Sequence, residues 1–145
     1  MEVFRDNWGV PHVRAGSERD AFVAQGFVTA QDRLWHMDLD RHRALGRRAE
    51  FLGQTRLPRD RILRRMRIER AARADYETSS PAARAMLDSF ADGVNAFIDS
   101  TRTLPIEYSI LSTCPEPWEP WHGLATYKIR NMLMGTYEAK LWRVR

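Results

Sequence analysis

The sequence predicts a mainly α-helical chain opened by a short β-hairpin, on three observations. Apolar residues recur at spacings of three and four through most of the chain. Helix-start signals stand at Ser17 and at Ser80-Pro81, and two short β-branched segments flank Asp6-Asn7-Trp8-Gly9 near the start.

The hairpin is predicted from residues 2–5 and 10–15, because Asn7 and Gly9 suit a tight reversal between them. Ser17 is placed to cap the following helix, with Asp20 three positions on as an acidic variant of the capping box. From there Val23, Phe27, Ala30, Leu34 and Met37 form one apolar stripe, which Leu45, Ala49 and Leu52 resume before Gly53 offers a stop. Gly26 and Gly46 interrupt this run, so one kinked helix or two in sequence are expected.

Asp60 to Asp75 reads as a further helix, arginine-rich, with Ile62, Leu63 and Met66 as its apolar contact. Ser80 as cap and Pro81 at the first helical position begin another, whose inward stripe is Ala83, Leu87, Phe90, Val94 and Phe97. Pro105, Pro115, Pro117 and Pro120 make 103–121 an ordered loop or extended wrap pinned by Trp118 and Trp121. Leu124 to Arg145 is helical by composition and carries no stop signal, which suggests a proteolytic boundary.

With 145 residues and 43% hydrophobic content, the chain suffices for one packed unit spanning 1–145, or for a piece that shares its core with a partner. Cys114 is the lone cysteine, which excludes an internal disulfide and a cysteine-rich zinc site. No apolar run approaches the roughly 20 residues that cross a bilayer. Met1 is followed at once by Glu2-Val3-Phe4-Arg5 with no charged-then-apolar leader, so the chain is expected either not to be exported or to begin after a removed signal.

Charge is uneven. Residues 41–73 hold 12 arginines against three acids, a local charge of +9, which leaves the remainder at −5 within a total of +4. Such density suits a nucleic-acid or anionic-lipid surface, because phosphate neutralisation dominates those affinities. Pairing with acids of a partner, or solvation on helix faces, explains it with fewer assumptions.

Candidate chemistry is sparse. His36-Met37-Asp38-Leu39-Asp40-Arg41-His42 has metal-binding residue types, but helix positions two apart point about 200° apart, leaving only the pairs His36/Asp40 and Asp38/His42 on shared faces. Capping and surface pairing is the better reading. The chain has no Gly-x-Ser-x-Gly elbow, no Ser-x-x-Lys and no glycine-rich phosphate cradle, and Cys114 sits in a proline-rich loop without a neighbouring histidine. His12 and His122 read as structural.

Three ordered blocks then carry a resemblance. Arg5-Asp6-Asn7-Trp8-Gly9-Val10-Pro11-His12-Val13-Arg14-Ala15, the stretch Gly26 to Asp38 that contains Ala30-Gln31-Asp32-Arg33-Leu34-Trp35, and Arg41 through Gly53 with its "GRRAEFLG" are similar to successive motifs of the penicillin acylase family. Ala91-Asp92-Gly93-Val94-Asn95-Ala96-Phe97-Ile98, Leu104-Pro105-Ile106-Glu107-Tyr108 and Pro117-Trp118-Glu119-Pro120-Trp121 continue it, so the resemblance covers nearly the whole chain.

The resemblance implies the α-subunit, N-terminal portion of an N-terminal-nucleophile hydrolase, a precursor that cuts itself into α and β chains sharing a layered αββα core. It places the nucleophile, usually serine, first in the β subunit, with its own α-amino group as base, and leaves no catalytic residue in this chain. The required partner is that β subunit, and the substrate is an acyl amide. The helix 132–143 would supply part of the acyl pocket: Tyr137 and Leu141 as walls, Met134 as flexible filler, and Lys140 or Arg143 meeting an acyl carboxylate or carbonyl. Tyr137 and Leu141, four apart on one face, suit ordinary core packing equally well.

Better-known penicillin G acylases carry other residues at 137, 140 and 141, so a phenylacetyl preference does not carry over, and cephalosporin-type, acyl-homoserine-lactone-type and other acyl amides stay open. Catalysis needs no cofactor. A structural calcium occurs in some members, but its glutamate would fall beyond Arg145 and Glu138 is a poor substitute, so no calcium ligand is identified here. The family also suggests a periplasmic or extracellular location. Two other readings stand beside this one: a basic helical module for nucleic acid or a membrane surface, and a stand-alone helical interaction domain.

Overall fold

The computed structural model describes residues 1–134, and it is helical apart from one antiparallel hairpin. Strands β1 (Glu2–Arg5) and β2 (Pro11–Arg14) pair with Val3 opposite Val13 and Phe4 opposite His12. Helices follow as α1 (Glu18–Ala44), α2 (Ala49–Leu52), α3 (Leu57–Arg65), α4 (Ile68–Thr78), α5 (Pro81–Ser100), α6 (Ile106–Ile110) and α7 (His122–Met134), with a 3-10 turn at Gln54–Arg56. The chain groups into two compact units, Met1–Asp38 with Thr78–Pro120, and Leu39–Glu77 with the segment from Trp121. Each has its own buried cluster.

In the first unit the hairpin turn is organised by Asp6. Its Oδ1 accepts the backbone N–H groups of Trp8 and Val10, both at 2.9 Å, and its Oδ2 lies 3.1 Å from Nε2 of His12, whose ring stacks on Phe4. The His12 hydrogen bond, then the Val10 and Trp8 amides, hold the Asp6 carboxyl below the usual carboxylate range. A depressed carboxyl stabilises the turn above its ordinary pKa of about 3.9, and that contribution is lost as pH falls through the lower folded value. The Val10 amide resonance should therefore move only below about pH 4, and Asp6→Asn should abolish the transition; a resonance that stays fixed down to about pH 2 would contradict this assignment.

Ser17 and Ser80 cap as the sequence predicts, through Ser17 Oγ with the Asp20 N–H at 3.1 Å and Ser80 Oγ with the Ala83 N–H at 3.2 Å. The α1 irregularity lies at Arg33, where φ is −144° and ψ is 21°, not at Gly26 as the glycine pattern suggested. The two residues before this break, Gln31 and Asp32, are gripped by the Arg5 guanidinium at 2.8 and 2.6 Å. Gly26 instead marks a close helix crossing: a Cβ there would lie 2.1 Å from the Phe90 carbonyl oxygen, and one on Gly93 would lie 2.0 Å from that of Val23.

Around this crossing Ala30, Leu34, Ala91 and Val94 are buried with Tyr108 and Trp118. The 103–121 segment is not purely extended, since α6 interrupts it and buries Tyr108 against α1, edge-on to Trp35 at 5.3 Å. Its second anchor is Trp118, whose backbone N–H and C=O are both engaged by the Asn95 side chain, at 2.7 and 2.9 Å.

In the second unit the expected 60–75 helix is two helices. The chain turns at Arg67, a non-glycine residue at φ 52°, and α4 begins at Ile68. Leu63 is buried and Met66 packs on the core, whereas Ile62 is 53% exposed. Gly46, at φ 63°, closes α1, and its carbonyl accepts from Arg64 Nε at 2.9 Å. Buried Asp60 accepts the Ala49 N–H at 2.7 Å and so supports the start of α2. Trp121, Ala125 and Ile129 of the α7 region complete a core with Ala44, Leu63, Ile68 and Ala72.

Candidate functional site

The segment that the resemblance assigns to substrate contact begins on α7. This helix presents Ala125 and Ile129 inward, both without measurable exposure, and carries Tyr127, Arg130 and Asn131 outward. Two outward cations tie it down: Lys128 Nζ reaches Asp75 Oδ2 at 2.5 Å, and Arg130 Nε donates to Asp40 Oδ2 at 3.1 Å. A helix so fixed by a buried stripe and two ion pairs has its rotation about its own axis set. Met134 is its last residue. Tyr137, Lys140, Leu141 and Arg143 lie outside the described residues, as does Glu138.

The His/Asp run of α1 is dispersed onto different neighbours. Asp38 accepts the Tyr108 hydroxyl at 2.9 Å, both groups being almost fully buried. Asp40 takes Arg130, and His42 packs on Phe51 at 3.9 Å between ring centroids with Glu50 at 3.7 Å from its Nε2. His36 is exposed. Among the described residues no group of three or more His, Cys, Asp or Glu could hold a metal ion.

Several hydroxyls are engaged locally: Thr29 donates to the Gln25 carbonyl, Ser89 to that of Ala85, and Ser17 and Ser80 cap helices. Cys114 is exposed. His12 is bound to Asp6, and His122 is buried with its ring against Trp121. The Asp38–Tyr108 and Asn95–Trp118 links were missed at the sequence level; 70 and 23 residues separate the partners, and no local spacing signals such pairs.

The arginine-rich stretch is partly neutralised within the unit. Arg47 pairs with Glu50 at 2.8 Å and Arg73 with Glu69 at 3.0 Å, while the Arg73 guanidinium also lies 4.0 Å over the Trp121 ring. Among the described residues no helix is long and apolar enough to cross a membrane.

Comparison with known proteins gives one consistent result. The profile of the family described as penicillin amidase matches residues 1–145. The penicillin acylase 2 proenzyme of Pseudomonas sp. (strain SE83) is 48% identical over 144 residues, 99% of this chain and 19% of that protein. Acyl-homoserine lactone acylase QuiP of Pseudomonas aeruginosa is 33% identical over 132 residues, 90% of this chain and 16% of its own length. The chain thus spans less than a fifth of each of these curated relatives. Among solved structures, a thermostable penicillin G acylase from Alcaligenes faecalis superposes with a TM-score of 0.79 at 30% identity, covering 87% of this chain and 69% of that one. The helical architecture with its small hairpin, the ordered sequence blocks and these matches agree, and the chain belongs to the penicillin amidase family.

Proposed function

We propose that this chain is the α-subunit segment of an amide hydrolase whose nucleophile is the first residue of a β chain cut from the same precursor. The observation that carries the reading is the 48% identity over 99% of the chain to a proenzyme of which it spans only 19%. In this scheme the β-chain hydroxyl adds to the substrate carbonyl while the adjacent α-amino group, with an ordinary pKa of about 7.7–8.0, accepts the hydroxyl proton and passes it to the departing amine. Water then hydrolyses the acyl ester and restores the hydroxyl, with the tetrahedral oxyanion held by β-chain donors.

The part of this chain is to wall the acyl pocket. Tyr137 and Leu141 form its sides, Met134 fills beside them, and Lys140 or Arg143 meets a polar acyl terminus. The anchoring of α7 through Ile129, Lys128 and Arg130 supports this role, because it fixes the point from which the chain continues into the pocket candidates. No observation favours the nucleic-acid or membrane-surface reading of the basic stretch.

The test is expression of the complete coding frame and assay of the purified product against penicillin G, a cephalosporin with an acidic side chain and N-acyl-homoserine lactones of several lengths. Amide hydrolysis on at least one class is expected. Tyr137→Ala and Lys140→Ala should then change the ratio of kcat/KM between acyl groups by about tenfold, the scale of one lost pocket contact. A folded, processed protein inert on the whole panel would refute the activity, and unchanged ratios would refute the pocket assignment alone.

A further inference from the structure

Two arginines of the second unit each bury a guanidinium nitrogen that meets no hydrogen-bond acceptor among the described residues. Arg43, near the end of α1, and Arg48, immediately before α2, are half-buried; the Nε of each is sealed from solvent without a hydrogen-bond partner among the described residues. Arg59, on α3, is near enough to Arg43 to repel it, as are Arg48 and Arg130. Desolvation first, and then Arg48 and Arg59, lower the pKa of the Arg43 guanidinium; Asp40 alone among its main neighbours opposes them, and Asp40 is already bonded to Arg130. The charges that act most on Arg43 are thus three guanidinium groups and one carboxylate. A cation partly removed from water with unmet N–H groups is costly unless an anion joins it.

We propose that Arg43 and Arg48 receive a carboxylate from an acidic segment of the remaining polypeptide of the precursor, and so form one docking point between the two chains. The inference rests on the proposed two-chain reading. Since both Nε atoms are covered, compensation must come through the terminal Nη atoms, where a carboxylate accepts two parallel N–H bonds in one plane. Two half-buried guanidinium groups suit a side-chain carboxylate of a folded partner better than the phosphates of an extended nucleic acid, which bind exposed basic faces. The relatives supply the polymer: in each, more than four-fifths of the length lies outside the segment that this chain matches.

A zero-length cross-link tests it in the complete protein, whether or not the precursor has been cut. In Arg48→Lys, a carbodiimide should join the new amine to an aspartate or glutamate outside residues 1–145, identified by peptide mass spectrometry. A link only to Asp40, Glu50 or another carboxylate within 1–145, or no link, would overturn the proposal. In parallel, R43M/R48M keeps the aliphatic stems but not the charge and should lower the melting temperature of the complete protein, whereas R43K/R48K should recover most of the loss. Equal melting of R43M/R48M and wild type would assign the arginines to packing and overturn the proposal. Titration of the complete protein with inorganic phosphate at constant ionic strength should leave its melting unchanged, since both guanidinium groups are already paired; a saturable rise abolished by R43M/R48M would mean that a free oxyanion pairs with them instead and would overturn the proposal. Amide hydrolysis is scored separately: a cross-linked but inert protein refutes the activity and keeps the docking point, and an active protein without the link does the reverse.

Discussion

Gly93→Ala is expected to destabilise the fold by about 3 kcal/mol, the upper part of the range for overpacking a tight contact. In an exposed helix the same change would stabilise by about 1 kcal/mol through helix propensity, so the two effects have opposite signs. The clash decides the outcome here, because the added Cβ would lie 2.0 Å from the Val23 carbonyl oxygen and 2.9 Å from the Phe27 nitrogen, and backbone cannot swing aside as a side-chain tip can. Gly26→Ala meets the Phe90 carbonyl at 2.1 Å and should cost a similar amount. Both glycines serve one α1–α5 crossing, so once either alanine has spread the helices the second should cost less, giving a double mutant short of additivity by about 1 kcal/mol. Urea unfolding of the three variants checks this. A Gly93→Ala protein as stable as the parent would mean that the helices do not approach this closely.

Trp121→Ala should cost about 3–5 kcal/mol, the range for removing a large aromatic side chain from a core. Trp121 is 5% exposed and packs in the cluster of Leu63, Ile68, Ala125 and Ile129, and losing it also removes the Arg73 stack. That stack is a minor share, about 0.5–1 kcal/mol at so exposed an arginine, so Arg73→Ala alone should approach that lower figure. Trp121→Phe is the informative companion. The indole Nε1 is buried with no hydrogen-bond partner among the described residues, and leaving such a donor unmet costs about 1–3 kcal/mol. Phenylalanine removes that donor while leaving a smaller void than alanine does, so it should lose less than about 2 kcal/mol. Thermal unfolding measures all three, and a Phe variant as damaged as the Ala variant would show that the indole N–H is satisfied after all.

The parts of the fold legible in the sequence are those governed by residues close together in the chain. Ser17 and Ser80 cap the helices that follow because a hydroxyl three positions before an amide is a local geometry. The hairpin pairs as read because the turn residues and the alternating strand residues are contiguous. The inward stripe of α5 is borne out at Val94, which has no exposure, and Phe90 and Phe97 pack against the same cluster.

Where the reading missed, a non-local contact or a backbone exception was responsible. Arg67 adopts positive φ with no glycine to announce it, so one predicted helix became two. Gly26 looked like a helix interruption and is instead a point of close approach to α5, at Phe90 and Val94. The α6 turn forms between prolines where a loop or wrap was expected, because burying Tyr108 against Asp38 and Trp35 offsets the weak local propensity. The pocket candidates Tyr137, Lys140, Leu141 and Arg143 stand on sequence resemblance, and their test is kinetic.

By itself the sequence determined the family, the helical class with its opening hairpin, the capped starts of α1 and α5, and the concentration of 12 arginines between residues 41 and 73. Each of these follows from residue order and near-neighbour chemistry. Only the tertiary structure decided which arginines meet a carboxylate and which do not, which glycines carry a helix crossing, and where Asp38 and Asn95 spend their hydrogen bonds. Those outcomes depend on groups far apart in the chain arriving within a few ångströms of one another, and in the interior, where water is absent, each polar group must take whichever partner packing brings to it.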